Sequence, residues 1–256
     1  MRTSRRIAVA GATGRLGRHV VGVLRAGGHD VVPISRATGV DVITGDGLDA
    51  ALAGVGCIVD AATGASADQA AATEFFTTAS RNLHAAGESA GVGRMVMVSI
   101  IGCDKFTAGY SAAKAEHERA ALAGPLPVRV LRAAQFHEFV PVLMAWGRQG
   151  DVCYVPKMRT QLVAARAVAE SIAELATASE WAADHGEMPE VAGPREESIV
   201  EAAGLVAARS GEALRVQGVS NPDDPEHLEE AGALLPGPHA KLRGPTFADW
   251  LDAQPS

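Results

Sequence analysis

"RIAVAGATGRLGRHVVGVLRAGGHDVVPISR", Arg6 to Arg36, decides how the rest of the chain is read. Ile7 to Ala10 is a short apolar run, rich in β-branched residues, that stops at a glycine-rich turn. An amphipathic stretch from Leu16 to Arg25 follows, and Gly27-Gly28 ends it as a helix terminus. Val31 to Ser35 reads as a second strand. Strand, glycine turn, helix, strand is a βαβ unit.

Within it, "GATGRLG" sets Gly11, Gly14 and Gly17 in a G-x-x-G-x-x-G spacing between strand and helix, with Thr13, Arg15 and Leu16 among them. Gly11 permits a tight turn, Gly14 lets the backbone approach a pyrophosphate, and Gly17 lets the helix pack close to the strand. Amides at the start of that helix, and its dipole, favour an anion there. The pattern is weak alone and strong in this context. A site for NAD usually carries Asp or Glu about 20 residues beyond the glycines, to hold the ribose 2′-hydroxyl. Here the second strand ends in Ser35 and Arg36, with no carboxylate. An arginine pairs well with a 2′-phosphate, so NADP(H) is favoured over NAD(H).

The alternation continues. Only four residues separate Arg36 from Asp41, too few for a parallel crossover, so "GVDV" supplies at most a stub of a third strand. "CIVDAAT" (Cys57 to Thr63) is the next buried strand. A long helix closed by Gly91, a strand from Arg94 to about Ile100, a helix from Tyr110 to Leu122 and the strand "VRVLRAAQF" follow. Beyond about Ala178, "EVAGP", a helix near Glu197 to Arg209 and "LRVQGV" look like a smaller lobe, and Thr246 to Ala253 is a capped helix. The expected fold is α/β: a Rossmann-type, doubly wound parallel sheet with a small C-terminal substrate lobe. Residues 1–135 form the dinucleotide-binding core. Residues 136–256 supply the remaining sheet elements and the lobe, in one continuous unit. Ligands in such sheets bind at the carboxyl ends of the strands, which brings Ala61, Ala62 and Thr63 to the cofactor.

The chain has 256 residues, 47% apolar and 21% charged, with a formal net charge of −7. That suits a globular protein and offers nucleic acid no basic patch. Cys57, Cys103 and Cys153 form no Cys-x-x-Cys pair, and the histidines show no ligand spacing, so neither a disulfide framework nor a metal site is expected. No apolar run reaches the ~20 residues of a membrane span. The four-residue apolar run near the N-terminus is too short for a signal peptide. A reducing, cytoplasmic setting is the simplest expectation.

"AGATGRLGRHVV", "DVITGDGLDAALAGVGCIVDAAT" and "RNLHAAGESAGVGRMVMVSIIG" together resemble the short-chain dehydrogenase/reductase superfamily, and more narrowly its atypical, NmrA-like branch. The similarity runs from about residue 5 to about residue 175. It implies a nicotinamide cofactor, with Asp41 and Val42 on the adenine side. It also implies a Tyr-x-x-x-Lys pair on the helix after the fifth strand, matched here by Tyr110 and Lys114 in "GYSAAKAEHE". Residues at i and i+4 share a helix face. A nearby ammonium lowers a phenol's pKa from ~10, readying it for proton transfer. Lys114 is expected to hold the nicotinamide ribose as well, and Ser99 to bond the substrate oxygen. The superfamily's asparagine on the central helix has no counterpart near Phe76, and Asn82 reads as structural. Gln135, Phe136 and His137 are expected on the substrate side of the cleft, although a histidine between Phe136 and Phe139 is also a typical packing residue. Trp146, Met144 and Tyr154 read as core by default. "DDPEHLEE" (Asp223 to Glu230) reads as a solvated helix face.

Three functions fit these features. One is a reductase of an apolar or aromatic carbonyl compound. The others are a catalytically silent NADP(H)-binding sensor and an epimerase or dehydratase of a nucleotide sugar. A homodimer through the two long helices is common in the family.

Overall fold

Strand β1 (Arg6–Ala10) is an interior strand of the sheet, flanked on both sides, and all but its first residue are apolar and buried. Helix α1 (Gly17–Ala26) packs Val20 and Leu24 back onto it and leads to β2 (Asp30–Ile34), its parallel neighbour. The computed structural model describes residues 4–179 and 188–255. Next come α2 (Leu48–Leu52), β3 (Cys57–Asp60), α3 (Gln69–Ser89), β4 (Met95–Ile100), α4 (Gly109–Leu122) and β5 (Val128–Ala133). The remaining elements are α5 (Val140–Trp146), β6 (Arg148–Gln149), β7 (Val152–Pro156), β8 (Arg159–Thr160), α6 (Ala165–Thr177) and β9 (Glu190–Ala192). They are followed by β10 (Glu197–Ser198), α7 (Ile199–Ser210), β11 (Arg215–Val219), α8 (Leu228–Ala231), β12 (Lys241–Leu242) and α9 (Phe247–Asp252).

The main sheet has seven parallel strands in the order β12-β9-β5-β4-β3-β1-β2. Strand alternation divides the core between its two faces. Ile7, Val9, Val59, Val96 and Val98 meet α1 and α6 on one side. Ala8, Ala10, Ile58, Met95 and Met97 meet α2, α3 and α4 on the other. Helices on both faces explain why these strands are apolar without interruption. The chain runs from β1 outward to β2 and then crosses to β3 on the other side. The carboxyl ends of β1 and β3 therefore flank the switch point where such sheets bind ligands.

Three expectations change. "GVDV" forms no strand. The Asp41 amide donates to the Asp46 carbonyl (3.0 Å), and the Asp41 carboxylate takes the Ile43 amide (2.7 Å), so the segment folds as a turn and β2 is the sheet edge. The strand from Cys57 stops at Asp60, because the Asp60 carboxylate bends the chain by accepting the Ala62 amide (3.0 Å). "EVAGP" belongs to the main sheet, since β9 pairs with β5.

The lobe is built on a three-stranded sheet, β11-β7-β6, backed by α5 and α7. Its own core includes Phe106, Val140, Met144, Cys153, Val155, Ile199, Leu234 and Phe247. Met144 is core as expected, whereas Trp146 is 65% exposed, with its ring edge on Phe139. Nor is "DDPEHLEE" uniformly solvated. Glu229 is buried; its carboxylate accepts from Asn221, and burial pushes its pKa up.

Candidate active site

The glycine turn is a cradle that side chains would fill. Gly11 has φ +73°, and a Cβ there would sit 2.5 Å from the Ala61 carbonyl oxygen. A Cβ on Gly17 would overlap the Gly11 carbonyl. The Gly14 amide closes the turn onto that carbonyl at 2.9 Å. No side chain of the described residues caps α1; the amides of Arg18, His19 and Val20 bond the carbonyls of Gly14 and Leu16, and those of Thr13, Arg15 and Leu16 in the turn before it are the donors open to a ligand. Thr13 and Arg15 are exposed on the turn, while Leu16 is buried under it. This cradle fits a pyrophosphate. At the end of β2, Ser35 caps a short 3-10 turn that starts with exposed Arg36. Arg36 makes no ion pair among the described residues. Asp41 stands half-buried in the following turn. Val42 follows it, with its side chain in the core beneath α3. The amide of Asn82 holds the Val42 and Ile43 carbonyls at 2.9 and 2.8 Å, the structural role expected of it.

Beyond β3, Ala61 and Ala62 run along the cradle and Thr63 ends the rim. The Tyr110 hydroxyl meets the Thr63 hydroxyl at 3.1 Å. The Tyr110 ring lies edge-on to Phe76, with centroids 5.8 Å apart. Tyr110 and Lys114 share one face of α4, and both lie against Phe76: the Lys114 ammonium sits 4.5 Å from the ring centroid. Burial raises the pKa of Tyr110, and the Thr63 hydrogen bond only partly offsets this. The lysine therefore does not produce the expected lowering. At rest Tyr110 is a neutral phenol, the proton-donating form.

Lys114 is 6% exposed. Its ammonium donates to the Val98 carbonyl (2.7 Å) and to His117 Nδ1 (2.9 Å). His117 Nε2 in turn lies 3.1 Å from the Asp60 carboxylate. Burial brings Lys114 down to about 8, against the pull of Asp60, Cys103 and Glu118. Burial and then the Lys114 charge keep His117 below its usual value. Burial works against the Asp60 charge, but the His117 hydrogen bond, the Ala62 amide and the charges of His117 and Lys114 together outweigh it, and Asp60 stays below the usual carboxylate range.

Ser99 does not join Tyr110. It shares strand parity with Met95 and Met97, so it faces α4 two turns along the helix, near Glu118. Its hydroxyl is 3.5 Å from Cys103 Sγ, and that thiol donates to Glu118 at 3.3 Å. Glu118 takes two hydrogen bonds from Arg132, at 2.9 and 2.6 Å. Burial and Glu118 push the Cys103 thiol up to about 11, so it is inert as expected.

The residues after β5 divide. Gln135 is half-buried and accepts the Thr160 hydroxyl. Phe136 packs against the main core and bridges to Val163 through its backbone. His137 is the correction: it is fully buried, with its ring 5.4 Å from Phe247 and 5.2 Å from Trp250. Burial lowers it to about 4, so it is a neutral packing residue that α9 closes off from the cleft. Two side chains around Lys114, Asp60 and His117, were not anticipated. Their signal was present: His117 lies seven residues after Tyr110, on the same helix face, and Asp60 is a carboxylate ending an otherwise apolar strand.

The fold is α/β and of Rossmann type. No protein-family model matches the sequence, and no curated protein matches it. Solved structures do. An NADPH-dependent quinone oxidoreductase from Escherichia coli, complexed with NADPH, is 19% identical with TM-score 0.64; the match covers 96% of this chain and 98% of that one. A dTDP-4-dehydrorhamnose reductase from Bacillus anthracis, in complex with NADP, is 15% identical with TM-score 0.69, over 98% and 100% of the two chains. A UDP-N-acetylglucosamine 4-epimerase from Bacillus cereus is 18% identical with TM-score 0.66, over 96% and 93%.

Proposed function

We propose that the chain is an NADP(H)-dependent oxidoreductase of the short-chain dehydrogenase/reductase superfamily, within its NmrA-like branch. Its substrate is a small apolar or aromatic molecule that interconverts carbonyl and hydroxyl. The observation that carries this reading is the Tyr110–Thr63 contact at 3.1 Å, which sets a protonated phenol on the rim of the glycine cradle. The open amides of the glycine turn, those of Thr13, Arg15 and Leu16, would hold the pyrophosphate, and Arg36 the 2′-phosphate. Asp41 would lie toward the adenine, and Ala61 to Thr63 along the nicotinamide half. Bound nicotinamide supplies or takes up hydride. Tyr110 gives its proton to the carbonyl oxygen, and Lys114, one turn on, supplies positive charge to the phenolate that forms. Two of its three ammonium protons are engaged by Val98 and His117, which aims the third.

The assignment is tested by titrating NADPH, NADP⁺, NADH and NAD⁺ into wild type and Arg36→Ala. Preference for the phosphorylated forms, lost in the variant, supports it. No binding by any of the four refutes it.

Epimerisation or dehydration of a nucleotide-linked sugar is the second reading. In its favour, the match to the 4-epimerase spans 93% of that enzyme's chain, so the lobe here is not short by that comparison. Dinucleotide that stays bound through purification would favour it. A homodimer is consistent with either function.

A further inference from the structure

Asp60, His117 and Lys114 are 1%, 1% and 6% exposed, and together they bring two formal charges into the interior. A buried ammonium costs several kcal/mol unless it is paired and fully hydrogen-bonded. The geometry assigns each role. An ammonium can only donate, so His117 Nδ1, 2.9 Å from Lys114 Nζ, accepts. The imidazole proton therefore resides on Nε2, which donates to Asp60 Oδ2 at 3.1 Å. Asp60 Oδ1 is taken by the Ala62 amide. The ring plane is fixed as well, because His117 stacks on Phe76 with centroids 4.5 Å apart and planes 11° apart. Phe76 stands about where an asparagine was sought, so the support for Lys114 comes from its own helix, from β3 and from the Val98 carbonyl of β4.

We propose that His117 is a positioning residue for the reaction: a neutral, Nε2-protonated imidazole that ties the Lys114 ammonium to the Asp60 carboxylate, keeping Lys114 charged and aimed one helical turn from Tyr110. The part of this that concerns turnover rests on the oxidoreductase reading. The charged groups facing the pair are Asp60 from β3 and Glu118 from α4, with the Cys103 thiol beside Lys114. Lys114 sits near 8, so little reserve separates it from neutrality at working pH. Removing the imidazole acceptor or the Asp60 charge takes away what holds the proton.

The test needs no cofactor. Long-range proton–nitrogen NMR on the intact protein reads the His117 tautomer, and ε-carbon shifts read the Lys114 titration, which is assignable because the chain has few lysines. A neutral Nε2–H form at pH 7 is expected. In His117→Phe and Asp60→Asn the Lys114 midpoint should fall by about one pH unit or more. His117→Asn, whose amide oxygen stands in for Nδ1, should restore part of the loss. The alkaline limb of NADPH turnover should move with those midpoints. An Nδ1–H tautomer, an imidazolium at pH 7, or a Lys114 midpoint unmoved in both His117→Phe and Asp60→Asn overturns the proposal. If a variant does not fold, the wild-type tautomer alone decides it. A protein with this tautomer that binds no dinucleotide would refute the oxidoreductase reading instead.

Discussion

The hydroxyls of Tyr110 and Thr63 meet at 3.1 Å, although α4 and the loop after β3 are far apart in sequence. That contact joins two features the sequence shows only separately, the glycine turn and the Tyr-x-x-x-Lys pair. Thr63 lies two residues after Ala61, whose carbonyl would collide with any side chain on Gly11. The phenol is thereby fixed to the same backbone that forms the cradle.

The cradle separates two glycine substitutions on one helix. Gly17→Ala forces a methyl into the Gly11 carbonyl and should cost a few kcal/mol and abolish dinucleotide binding. Gly22→Ala, with nothing within 4 Å of its new methyl, should stabilise by about 0.5–1 kcal/mol and leave binding intact. Thermal melts and NADPH titrations on the two variants check both halves.

Arg36 should set cofactor choice without touching the fold, because it is exposed and starts a turn held by Ser35 and Thr38. Arg36→Ala should weaken NADPH by about tenfold or more, the loss of a charge-assisted pair, and leave NADH unchanged. Equal weakening of both cofactors would show that Arg36 does not contact the 2′-phosphate.

How far the sequence reached depends on the range of each signal. Gly11, Gly14 and Gly17, and Tyr110 with Lys114, were legible because turn geometry and helical spacing are local. The contact of Ser99 with Cys103 was not legible, because it depends on which part of the following loop packs over β4, a tertiary relation. β9 was separated from its sheet because its partner β5 is distant in sequence. His117 and Asp60 lay in plain view, but only the packed structure joins them through Lys114.

Acid should destabilise the protein through His137. Its folded pKa is about 4, below the ordinary value of 6.5, so between those limits the unfolded chain binds more protons. Stability from this group is therefore full above pH 6.5 and is lost as pH falls toward 4, by up to about 3 kcal/mol. Urea melts at pH 7 and pH 5 should differ for wild type, and the His137 share of the difference should vanish in His137→Met.

Glu118 and Arg132 form an ion pair at 2.6 Å near the site. Breaking it with Glu118→Ala leaves a guanidinium that is 14% exposed without its main partner, at a cost of about 3 kcal/mol. The loss should appear as a lower denaturation midpoint. Dinucleotide affinity, measured below the transition, should persist because the cradle lies elsewhere.

The central claim is that Tyr110 donates the proton when hydride arrives from NADPH. It is tested by following NADPH oxidation with a panel of apolar and aromatic aldehydes, ketones and quinones, on wild type and Tyr110→Phe, with NADPH affinity measured on both. Wild type should turn over at least one carbonyl compound, and Tyr110→Phe should lose about 10²–10⁴-fold in rate while binding NADPH as before. A Tyr110→Phe protein that keeps the wild-type rate would contradict the claim.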